Sequence, residues 1–221
     1  MPIVYRNQNT AILAANLLKE GRIVLFDPLN AAFAPGFVDL GYFPAADKIA
    51  PTNTVNRAAV VAASREGGPD VTLADDVTSV GITYAISSLT PDDAVKELHA
   101  GSAPVTLAAT GVATTTAFLY DPSVSVSGRM IIVRKRPGSD TARRHRVVFH
   151  PRVDLSPNGT GDANGKDTLI FLATVRAYAY TVGAEFSAAA AAFGQYGAQF
   201  EVPDTELTPL LDFLAGEALP V

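Results

Sequence analysis

Gly128-Arg-Met-Ile-Ile-Val-Arg-Lys-Arg136, then Pro137-Gly138-Ser139-Asp140, then Arg143-Arg-His-Arg-Val-Val-Phe-His150 reads as a strand, a turn and a returning strand. The glycine-rich stretch Ser156–Gly165 follows and reads as a loop. Beyond it the run Asp167–Tyr180 carries Leu169, Ile170, Phe171, Val175, Tyr178 and Tyr180, with no breaker before Gly183. Fourteen extended residues at about 3.3 Å each would span roughly 45 Å. Strands of that reach predict a β-sandwich or barrel in preference to a compact α/β domain.

The chain on either side fits that frame. A 221-residue chain with 48% hydrophobic content has the material for a substantial core. It has no cysteine, which removes disulfides and thiolate metal sites and points to cytoplasmic synthesis. Met1-Pro-Ile-Val-Tyr-Arg6 lacks the layout of a signal peptide. No apolar run approaches the ~18 residues that cross a bilayer, so no membrane association is expected.

Residues 10–20 suggest a short helix closed by Gly21, followed by a buried strand Arg22–Phe26 and a second strand Gly36–Tyr42. Val55–Arg65 is extended. Glu66–Thr78 has acids, turn residues and no period, and reads as a long loop. Its Val71, Leu73 and Val77, with Asp75 and Asp76, lead to the expectation that it leaves its own domain and packs on a neighbouring subunit. Val80, Ile82, Tyr84 and Ile86 alternate with small or polar residues as in a half-buried strand. Thr90 as N-cap, Pro91 at the first position, Asp93 and a stop at Gly101 predict a helix of about ten residues with Val95 and Leu98 inward. Pro104–Ala109 and Thr115–Tyr120 are further apolar segments. Thr208-Pro209 opens a last helix, ending at Gly216. The expected organisation is one β domain over residues 1–182, with a C-terminal extension over 183–221 packed on it or on a neighbour.

Sites of chemistry are not evident. The Gly-x-Ser-x-Gly elbow, His-Glu-x-x-His and phosphate-loop patterns are missing from the sequence. His145 and His150, five apart on one strand, face opposite sides, and His99 sits in the last turn of the predicted helix. Asp162–Asp167 resembles a calcium loop, but Gly165 is at the fourth position and Lys166 intrudes, so a hairpin turn is expected there. No catalytic, cofactor-binding or metal-binding residue is assigned. What stands out is charge: residues 128–152 carry Arg129, Arg134, Lys135, Arg136, Arg143, Arg144, Arg146 and Arg152 against Asp140 alone, or +7. After Arg176 there are only acids, among them Glu201, Asp204 and Glu206, giving −6. These segments meet either inside one fold or across a subunit boundary. Arg134, Lys135, Arg136, Arg143, Arg144 and Arg146 facing Glu201, Asp204 and Glu206 are the candidate contacts.

Several of these stretches resemble the major tail tube proteins of long-tailed (siphovirus-type) bacteriophages. Val80–Ser88 followed by Leu89-Thr90-Pro91-Asp92 and a short helix is similar to that family's strand-then-helix module. Gly36-Phe37-Val38-Asp39-Leu40-Gly41 matches its Gly-aromatic-x-Asp-x-Gly opening. Met130–Val133 with Arg146–Phe149, then Pro151-Arg-Val153, a polar glycine stretch and a long strand, also fits. The likeness covers about residues 20–180; the tail from Gly183 has no counterpart. It implies a mainly β sandwich or barrel flanked by a short helix, six copies to a ring, and rings stacked into a tube. DNA would pass down the lumen without sequence-specific binding. Tape-measure, terminator and baseplate proteins would be partners, in a virion tail assembled in the host cytoplasm. The alternative from the residues is a β-rich binding module, such as a capsid decoration or carbohydrate-binding domain.

Overall fold

A computed structural model describes residues 20–33, 36–65, 67–109, 112–118, 121–136, 144–177 and 196–216. Among the described residues the fold is mainly antiparallel β with two helices. Its strands are β1 Glu20–Pro28, β2 Val38–Asp39, β3 Thr52–Ala62, β4 Val71–Ser88, β5 Val105–Ala109, β6 Val112–Ala117, β7 Val126–Lys135, β8 His145–Asp162, β9 Asp167–Val175 and β10 Ala198–Val202. Helix α1 is Asp93–Ala100 and α2 is Asp204–Gly216. One sheet runs β2-β1-β7-β8-β9-β4-β3, with β10 also on β8, and β5-β6 form a separate hairpin. The early helix, the turn 137–140 and the run 178–195 lie outside the described residues.

Strand β8 organises the sheet. Met130 pairs with His150 and Gly128 with Val153, so Pro151 and Arg152 together oppose Arg129 alone. Such an extra residue bends a strand, and proline is tolerated where the ladder is interrupted. Before the bend β8 pairs with β10; after it, with β9. Val24, Phe26, Met130 and Ile132 therefore share one apolar cluster with Tyr84, Ile86, Val153, Leu155, Phe171 and Ala173, the two wings of the sheet enclosing the main core. The opposite face of β1, β7 and β8, with Ile131, Val133, Val147 and Phe149, is covered by Leu207, Leu210, Leu211 and Leu214 of α2. Those leucines follow the i, i+3, i+4, i+7 spacing of a one-sided helix.

Several sequence expectations are corrected in detail. Residues 156–162 of the glycine-rich stretch are the end of β8, with a register shift between Pro157 and Thr160 in place of a loop. The true turn is Asn164-Gly165, with φ of 53° and 74°, flanked by paired Ala163 and Lys166. Two consecutive positive-φ residues match the twist of a hairpin, and Asn-Gly is the pair that adopts them most readily. The N-cap of α1 is Asp92, whose carboxylate accepts the Val95 N–H at 2.9 Å, not Thr90. Thr90 Oγ1 instead accepts the Tyr42 N–H. Gly101 ends α1 at φ 72°, where a Cβ would also strike Val124. Only Val38–Asp39 of the stretch 36–42 is strand, and α2 begins at Asp204, so Pro209 lies within it instead of opening it.

Candidate assembly surfaces

Of the stretch 66–78, expected as a loop, Val71–Thr78 is strand, the outer part of β4 in a hairpin arm. β3 pairs with β4 from Thr52–Thr83 to Ala62–Val71, whereas β9 joins β4 only from Ile82 onward. The outer part of β4 thus has one strand neighbour and solvent on both faces. At about 3.3 Å per residue the arm projects roughly 35 Å. Alternating Val, Ala and Thr make it a good strand, and the acids between them hide its period from sequence inspection. Val55, Val60, Val61, Val71 and Val77 are each about half exposed, and Leu73 is 67% exposed. Arg57 and Asp75 form an ion pair across the arm at 3.1 Å. Asp76, one residue on, projects from the other face. The β5-β6 hairpin is a second projection, exposing Val105 and Leu107.

The basic and acidic segments meet inside the chain. β10 lies beside the first half of β8, and Glu201 accepts hydrogen bonds from Arg136 and Arg146. Asp204 receives His145 Nε2 at 2.6 Å and lies 3.3 Å from Arg144 Nε. Of the two arrangements the sequence leaves open, the pairs of Arg136 and Arg146 with Glu201 and of Arg144 with Asp204 take the one inside a single copy, because the strand after Gly197 returns to β8. Burial alone would raise the Glu201 carboxyl, but Arg136 and Arg146 hold it below its ordinary value. The His145 hydrogen bond, then Arg144, hold Asp204 low. Lys135 lies opposite His145 and close enough to act on Asp204. Glu206 is exposed in the first turn of α2, and Arg143 lies outside the described residues.

All three histidines have structural partners. His99 Nε2 is 3.1 Å from the Gly159 carbonyl and its ring stands edge-on to Phe171, tying α1 to the irregular end of β8. His145 and His150 do face opposite sides, towards α2 and the main core respectively. His150 Nε2 lies 2.8 Å from the Tyr84 hydroxyl and Nδ1 2.6 Å from the Tyr196 carbonyl. A carbonyl only accepts, so Nδ1 carries the proton and Nε2 accepts from Tyr84. Burial pushes the His150 pKa below its ordinary 6.5, against the Tyr196 hydrogen bond. The unfolded chain therefore takes up this proton first as pH falls. The stabilising difference is complete above about 6.5 and is lost below it, down to the lower folded pKa. The carboxylates act lower: their contribution holds above their ordinary values of 4.5 and 3.8 and fades beneath. Between about pH 7.5 and pH 5 the melting temperature should fall, and fall less in His150→Gln. Equal slopes in the two proteins would show that His150 is not the group responsible.

An open groove of about 810 Å³ runs beside the Asn164-Gly165 turn, lined by Asp47, Ser87, Asp162, Asn164, Lys166 and Thr168 among others. Among the described residues no aromatic ring lines it. Among the described residues no cluster of three or more His, Asp or Glu is placed to hold a metal ion, and no helix is long and apolar enough to cross a membrane. No protein-family model matches the chain, and no curated protein matches its sequence.

Proposed function

We propose that this protein is a structural subunit that self-assembles into stacked hexameric rings, forming the tail tube through which a long-tailed bacteriophage delivers DNA. The observation that carries the reading is the β3-β4 arm. Among the described residues, six aliphatic side chains on a two-stranded projection have nothing of their own chain to pack on, and such a surface marks an interaction site. Burying each of these half-exposed groups is worth about 1 kcal/mol, so an arm seated on a neighbour contributes several kcal/mol before ordering costs. In a closed ring every copy both gives and receives that contact. Tape-measure, terminator and baseplate proteins belong to this reading as partners. The likeness over residues 20–180 supplies the particular assembly, and the mainly β fold with a short packed helix is compatible with it. A β-rich binding module remains the second reading, and the groove without aromatics weakens its sugar-binding form.

Light scattering over a concentration series tests the proposal. Mass rising above the 23.1 kDa chain towards sixfold multiples is the expected result. A constant monomer at every concentration, with or without added initiator components, would remove it.

A further inference from the structure

On the core-side face of the sheet, Arg22 of β1, Arg134 of β7 and Arg146 of β8 stand directly opposite one another. Glu201 of β10 continues the row, and Arg136, just past the end of β7, shares that carboxylate with Arg146. Like charges in adjacent register repel. Arg22 and Arg134 donate to the carbonyls of Ala45 and Ile49, which satisfy hydrogen bonds but bring no formal negative charge. The Nε atoms of Arg134 and Arg146 are buried without a partner. Burial first, and then the charges of Arg146 and Arg22, push Arg134 below the ordinary guanidinium value against the opposing pull of Tyr84. The row is a built excess of positive charge.

The arm has the complementary character. Asp75 is engaged by Arg57, but Asp76 projects from the other face beside Val60 and Val71, and Asp70 is exposed near the tip. We infer that the arm of one copy docks its acidic, apolar face against the Arg22–Arg134–Arg146 row of a second copy. This rests on the self-assembly proposed above and names the surface that the arm meets. Docking would place carboxylates beside Arg22 and Arg134, which have carbonyl partners only, and add to the single carboxylate that Arg146 shares with Arg136, while covering valines that face water. A phosphate-bearing polyanion is the competing occupant, but it would leave the arm's apolar groups uncovered.

Charge reversal and re-pairing test the inference. Arg22→Glu should raise the concentration needed for half-assembly about tenfold or more at low salt, and Asp70→Lys with Asp76→Lys should do the same. Joining all three changes in one chain should restore assembly, as should mixing the two defective proteins in equal amounts. Thermal unfolding checks that each variant is folded, and the milder Arg22→Gln should shift assembly in the same direction by less. Unchanged assembly of Arg22→Glu, or a defect that neither joining nor mixing repairs, overturns the docking. So does duplex DNA binding that Arg22→Glu abolishes while assembly is unaltered, which assigns the row to a polyanion. Wild type that never self-associates sinks the proposed function as well, and is thereby distinguished from a failure of this contact alone.

Discussion

Replacing residues 59–75 with Asn-Gly should leave a folded protein that no longer assembles. Ala58 and Asp76 are directly paired, so a two-residue turn can join them without disturbing the ladder beneath. None of the described residues of the excised part belongs to either buried cluster, and the melting temperature should move by no more than about 2 °C. Assembly is another matter. Val60, Val61, Val71 and Leu73 go with the arm, and at about 1 kcal/mol each their loss removes roughly 4 kcal/mol per contact, near a thousandfold in affinity. Sedimentation of the trimmed and full-length proteins reads the effect. A trimmed protein that assembles at the wild-type concentration would show that the arm is not the contact.

The largest effect on stability is expected at Arg129. Its guanidinium meets Asp27 at 2.7 Å, with side-chain exposures of 12% and 7%. It also donates to the carbonyls of Leu214 and Ala215, the last turn of α2. That helix has no basic residue in its own last turn, so β7 supplies the cation that its carbonyl end favours. Arg129→Ala leaves Asp27 buried with its charge uncompensated, a loss of about 3–5 kcal/mol. Urea denaturation should show it, and protease should begin to cut beyond Val202 as α2 loosens. Replacing both partners, Asp27→Leu with Arg129→Met, should cost less than the single change. A single-variant loss below about 1 kcal/mol, with α2 still protected, would mean that the pair does not anchor the helix.

What the sequence made legible follows from physical periodicity. β7 and the start of β8 are legible as apolar runs because they are covered on both faces, by the main core and by α2. β9, the first nine residues of the run 167–180, and the alternating half of β4 are legible because they rest on the core by one face. α1 was legible through its punctuation, with an acid at its start and Gly101 at its end, although Thr90 and Asp92 are both acceptable caps and only packing chose between them. The arm is not legible as a strand because both of its faces are in water, so nothing imposes a hydrophobic period on Val71–Thr78. The end of β8 is not legible because Gly159 and Gly161, usual loop markers, here sit in a strand with a register irregularity. The arginine row was invisible for a different reason. Arg22 is separated from Arg134 by more than a hundred residues, and their alignment depends on register, which sequence patterns do not fix across such distances. The internal meeting of the basic and acidic segments was open for the same reason: charge counts do not reveal where a strand returns.

Negative-stain electron microscopy of the purified protein, over a rising concentration series, tests self-assembly most directly. Rings of six-fold symmetry, stacking into tubes as concentration rises, are the expected images. A field of single 23.1 kDa particles at every concentration, in low and high salt alike, would contradict it.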